Sequence, residues 1–150
     1  MREIIFTRTF ENRLYENENG GITVVAHLFD VFHDITLSLD VSLPDFVISN
    51  ASIEFAKAPG ERCQELCPRI AELNGQQIQH GFTQLVRSRY GEADGCPNIV
   101  NMLLTSVPLA INTSWMIAVK HGVPYDDIKG TRDAQMKDVC ISFTARSGKQ

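Results

Sequence analysis

From residue 34 to residue 43 apolar and polar side chains alternate without a break. Ile35, Leu37, Leu39, Val41 and Leu43 point one way; Asp34, Thr36, Ser38, Asp40 and Ser42 point the other. Period two over this length predicts a strand with one buried and one solvated face. Pro44-Asp45 supplies a turn, and the pattern resumes over residues 47–55, with Ala51, Ile53 and Phe55 on one side. Upstream, Asn19-Gly20-Gly21 signals a hairpin between a strand at about residues 4–14 and another at residues 22–31. The economical reading is an antiparallel meander over about residues 3–56.

The periodicity changes at Ala58-Pro59-Gly60. Helical spacing follows over residues 67–73, with Gly75 as the stop, and over residues 81–90, stopped by Gly91. A long apolar segment runs from Pro97 to about Lys120 through Ile99, Leu103, Ile111, Trp115 and Val119. Pro108 must kink or split it, because proline removes a helical hydrogen bond and crowds the previous turn. The tail holds a short amphipathic helix at about residues 132–139, although residues 139–143 are equally strand-like. Strands first and helices after is the α+β signature, with the helices covering one face of the sheet. A single domain over residues 1–150 is expected, strand-rich over 1–57 and helix-rich over 61–150.

Composition changes this picture little. The chain has 150 residues, 43% hydrophobic and 21% charged, enough for a real core. A net charge of −4 argues against nucleic acid as a partner, since phosphate binding needs a basic face. No uninterrupted apolar run approaches the ~20 residues of a membrane span, and no secretory leader is evident, so a cytoplasmic address with reduced cysteines is expected.

The candidate chemistry lies in two Cys-Pro pairs, Cys67-Pro68 and Cys96-Pro97. Proline suits the first helical position, which puts each cysteine at an N-cap, where Ser, Thr, Asp or Asn is preferred. A thiol there meets the positive end of the helix dipole, which favours the thiolate that binds metals or attacks electrophiles. His33 precedes the cleanest strand, and in an α+β layer a strand's start and two helix N-termini can share one sheet edge. His33, Cys67 and Cys96 would then supply three ligands to zinc, iron or an iron–sulfur cluster, leaving a position open. Asp34, Asp94 and Cys63 are candidates for the surrounding shell. Packing is the simpler explanation for Cys140, and a cation-favouring helix end for His121.

The ordered set His33-Asp34-Ile35, Val47-Ile48-Ser49-Asn50-Ala51, Cys67-Pro68-Arg69-Ile70, Leu73-Asn74-Gly75, His80-Gly81-Phe82, Tyr90-Gly91 and Gly95-Cys96 resembles a bacterial family of unknown function, number 2889 in that series. The likeness spans most of residues 8–112. Such chains continue Gly-Cys with Thr-His-Leu, whereas Pro97-Asn98-Ile99 stands here, so Asn98 replaces a histidine. The order of elements is also similar to NifU-type iron–sulfur scaffold domains, which implies a NifU- or SufE-like sheet with helices on one side and a ligand site at its edge. Three functions follow as expectations. One is a metal or cluster site at His33, Cys67 and Cys96. Another is a binding or assembly module, a homo-oligomer or a protein's partner through the helix of Trp115 and Met116. The last is a thiol redox protein using Cys67 and Cys96. No phosphate loop, dinucleotide fingerprint, nucleophile elbow or His-Glu-x-x-His motif is present.

Overall fold

The computed structural model describes residues 1–144. The backbone forms two compact units, one ending at Ile111 and one beginning at Asn112.

The first unit is built on four strands, β1 (Thr9–Glu16), β2 (Ile22–Phe29), β3 (Asp34–Ser42) and β4 (Val47–Lys57). They form an antiparallel sheet in the order β1-β2-β3-β4, the expected meander. The first strand starts later than the apolar run from Ile4 suggests. Thr9 pairs with Phe29, where β2 ends, so earlier residues have no strand opposite, and Ile4 and Ile5 stay exposed. At the first hairpin the Asn17 side chain accepts from the N–H of Asn19 (3.1 Å) and of Gly21 (2.8 Å). Gly21 cannot carry a side chain, because a Cβ would lie 2.4 Å from the carbonyl oxygen of Val41.

One face of the sheet is the core. Ile22, Val24, Ala26 and Leu28 alternate inward from β2, and Ile35, Leu37, Leu39 and Val41 from β3. On β4 the inward positions are Ile48, Ala51, Ile53 and Phe55. Ile48 and Ala51 share a face despite their odd spacing because the β3–β4 register shifts between Asp40 and Val41.

Helices cover that face, as the sequence implies. They are α1 (Leu66–Ala71), α2 (Phe82–Tyr90), α3 (Pro97–Ser106) and the start of α4 (Leu109–Lys120). In α1 Leu66 and Ile70 are buried, in α2 Phe82, Val86 and Tyr90, and in α3 Ile99, Met102 and Leu103. These spacings of three and four put one apolar stripe on each helix. α1 packs on β4, α3 on β2, and α2 on α3. Pro108 divides the long apolar segment between α3 and α4, as expected. By length and composition alone, Pro97–Lys120 is apolar enough to cross a membrane, a length the sequence reading did not credit; its first half is built into the core instead.

The second unit holds the rest of α4, the helix α5 (Tyr125–Met136) and a 3-10 turn at Ile141–Phe143. α5 begins earlier than expected, at the Pro124-Tyr125 step, and the strand-like residues 139–143 are not a strand. The indole N–H of Trp115 donates to Gln135 (3.0 Å) and Met116 is exposed. Arg132 lies over the rings of Tyr125 and Phe143 and pairs with Asp133 at 2.7 Å.

Candidate functional site

The turn from β2 to β3 carries Asp30-Val31-Phe32-His33 and closes through the N–H of Asp30 on the carbonyl of His33 (2.9 Å). Asp30 is a charged residue with a fully buried side chain. Its Oδ1 accepts from the N–H of Phe32 (2.7 Å), the N–H of His33 (2.9 Å) and Nδ1 of His33 (3.0 Å). Its Oδ2 takes Nε (2.8 Å) and Nη2 (2.7 Å) of Arg8, from the segment before β1. Burial alone would push this carboxyl up, but the four groups together outweigh it and hold the carboxyl well below the usual carboxylate range.

The network does not stop at Asp30. Because Asp30 only accepts, the proton of the His33 ring sits on Nδ1 and the lone pair on Nε2. Nδ2 of Asn98 donates to that Nε2 at 3.2 Å, and Oδ1 of Asn98 accepts from Nη1 of Arg8 at 3.0 Å. Arg8, Asp30, His33 and Asn98 thus form a closed ring in which every contact has a donor and an acceptor. It ties the N-terminal segment, the β2–β3 turn and the first turn of α3 together.

Cys96 is the N-cap of α3, with Pro97 at the first helical position, as the sequence predicts. Its extended backbone leaves the carbonyl free to accept the helix's first bond from Val100 (3.1 Å). The N–H of Cys96 donates to the carbonyl of Tyr90 (2.9 Å), pulling the loop tight; a Cβ at Gly95 would sit 2.0 Å from that oxygen. Arg69 of α1 braces the same loop, donating to the carbonyls of Asp94 (2.7 Å) and Arg89.

Cys67 is a different case. The N-cap of α1 is Glu65, so Cys67 lies inside the first turn and Pro68 after it. A 3-10 turn over Glu61–Glu65 runs directly into α1, so the helix start falls upstream of the Cys-Pro pair. A proline is tolerated anywhere in a first turn, since those N–H groups have no intrahelical acceptor. The thiol points to Gln64 Oε1 at 3.6 Å.

A cleft of about 360 Å³ opens beside the ring. His33, Cys63, Cys96, Asn98 and Asp94 line it against an apolar wall of Ile35, Phe55 and Leu66. Two of the three predicted ligands, His33 and Cys96, and two of the outer candidates, Asp94 and Cys63, therefore do share one place. Cys67 is not among the lining residues. Asp34 is also elsewhere: strand alternation turns it to the outer face, where it pairs with Nε2 of His27 at 2.8 Å. Asp94 reaches Arg69 at 3.4 Å. Among the described residues no group of three His, Cys, Asp or Glu side chains is placed to hold a metal ion, and all four cysteines are free thiols.

The residues that sequence reasoning missed are Arg8 and Asp30, while Asn98 was read only as a lost ligand. The signal for Asp30 is faint, an aspartate two residues before an aromatic in a tight turn. Arg8 had none. A hollow of about 410 Å³ between the hairpin turns, near Asn17, Asn19, Asp40 and Ser49, is larger but polar, and its Asn17 side chain is spent on the turn itself.

A family model described as "Protein of unknown function (DUF2889)" matches residues 6–112. The chain belongs to that family. The match ends one residue beyond the first compact unit and contains the whole ring and cleft. No curated protein and no solved structure matches, so the likeness to NifU-type scaffold domains has no support from known folds.

Proposed function

We propose that the first unit is a small-ligand-binding module whose site is the cleft beside His33. Its ligand is a compact molecule with an apolar body and one acceptor group that takes the second amide N–H of Asn98, which His33 holds in place. The observation that carries this reading is the cleft's construction: an imidazole fixed at both nitrogens stands at the mouth of an apolar wall of Ile35, Phe55 and Leu66. Clefts of several hundred cubic ångströms, apolar with a few convergent polar groups, are the usual form of small-molecule sites. Orienting the polar groups before binding lowers the entropy lost on association. Cys63 and Cys96 are the two thiols on this cleft, so any thiol chemistry of the site belongs to that pair and not to Cys67 and Cys96.

The reading is tested by amide NMR of the labelled chain against a set of small organic acids, amides and alcohols. Binding should move the amides of Ile35, Phe55, Cys96 and Asn98 together, and the same compounds should leave His33→Ala unmoved. Shifts that gather on the hollow at Asn17 and Ser49, or no response to any compound, would sink it.

A further inference from the structure

The two edges of the sheet are treated differently. At β4, the chain after α1 turns back and covers the first part of the strand. Ile48 donates to the carbonyl of Gln76 (2.9 Å), Gly75 donates to that of Ile48 (2.8 Å), and Gln77 forms a bridge with Val47. At the other edge, β1 pairs with β2 alone among the described residues. It runs for eight residues with an unbroken register. A long regular strand with an open side is a template for pairing with another chain unless something blunts it.

Of the devices that blunt an edge, β1 carries only charge, at Glu11, Arg13 and Glu16. It contains no proline, no glycine and no bulge. The core face continues out to it only partly covered: Phe10 is 37% exposed, although Leu28, its partner on β2, is 3% exposed. Asn12, on the same face, has a buried Oδ1 with no hydrogen-bond partner. On the outer face Glu11 and Arg13 form a two-pronged ion pair at 2.9 and 3.1 Å.

We propose that β1 pairs antiparallel with β1 of a second copy of this chain, with the twofold axis at Asn12. Such an axis, perpendicular to the sheet, keeps both core faces on the same side. It sets Phe10 opposite Leu14 of the second copy, apolar against apolar. Glu11 stands opposite Arg13 of the second copy, and Arg13 opposite its Glu11, so two ion pairs become a group of four with alternating sign. Asn12 faces itself across the axis. Moving the axis by one position sets Glu11 against Glu11 or Arg13 against Arg13, and like charges directly opposite are unfavourable. The four strands of each copy would join as one continuous sheet.

Sedimentation velocity on the full chain tests this through charge. Wild type should form a dimer, and Glu11→Arg and Arg13→Glu should each weaken it about tenfold or more, since each sets like charges across the axis. An equimolar mixture of the two variants should recover a heterodimer, because each supplies the charge the other lacks. A wild type that stays monomeric over the whole concentration series would overturn the proposal. So would a dimer indifferent to these changes, or a mixture no tighter than either variant alone.

Discussion

Asn98 donates a hydrogen bond to Nε2 of His33 at 3.2 Å, and its own carbonyl oxygen is taken by Arg8 at 3.0 Å. An amide meets both demands at once, giving a donor to one neighbour and an acceptor to the other. Asn98 therefore completes the ring around Asp30.

Asn98→Ala removes both bonds and leaves Nε2 of His33 and one arm of Arg8 to water. The expected loss is about 1–2 kcal/mol in urea unfolding. Asn98→Asp should not restore it, since a carboxylate offers Nε2 no donor. A variant as stable as wild type would show that the ring is not closed in solution.

Asp30 sets a pH dependence with a definite sign. Its carboxyl is held below the ordinary value of 3.8, so its contribution is complete above that value and is lost as the pH falls through the lower folded-state range. Wild type should therefore melt above Asp30→Asn by a margin that stays constant from about pH 8 to about pH 5 and narrows only on further acidification. A margin that shrinks near neutrality would assign the dependence to another group.

Gly95→Ala drives a methyl into the carbonyl oxygen of Tyr90, 2.0 Å away, on the loop that seats Cys96. Displacing that backbone should cost about 1–3 kcal/mol in thermal or urea unfolding. Tyr90→Phe should cost about 1 kcal/mol, through the lost bond from its hydroxyl to the carbonyl of Arg69 (2.9 Å). Gly60→Ala, with open space around it, is the control and should change little.

For the thiols, Cys67→Ser should leave stability within about 0.5 kcal/mol of wild type, as for a surface change away from special features. Metal analysis gives a second reading. With Nε2 of His33 engaged by Asn98, zinc or iron content should be well below one per chain and equal in wild type, Cys67→Ala and Cys96→Ala. One metal per wild-type chain, lost in Cys96→Ala, would replace the ligand-binding reading with a metal centre.

The sheet was the most legible part of this molecule. The alternation at Ile35, Leu37, Leu39 and Val41 states the burial of β3 outright, and Asn19-Gly20 states the hairpin. Local signals failed where packing supplied the decision. Ile4 and Ile5 are as strand-prone as Ile22, yet they have no partner strand. Cys67-Pro68 and Cys96-Pro97 look alike in sequence, but only the second follows an extended residue; the first is already inside a helix started by the preceding 3-10 turn. The site was half legible. His33 and Cys96 do line one cleft, whereas Asp30 looks like any solvated turn aspartate until Arg8 and His33 are seen closing over it. Pairings across that sequence separation leave no periodic trace.

The most direct test is a calorimetric titration of the best cleft-binding compound into wild type, His33→Ala and Cys67→Ala. The account predicts that His33→Ala binds at least about tenfold more weakly, because Asn98 loses the group that orients it, while Cys67→Ala binds like wild type. Equal affinity in His33→Ala, or a loss confined to Cys67→Ala, would contradict it.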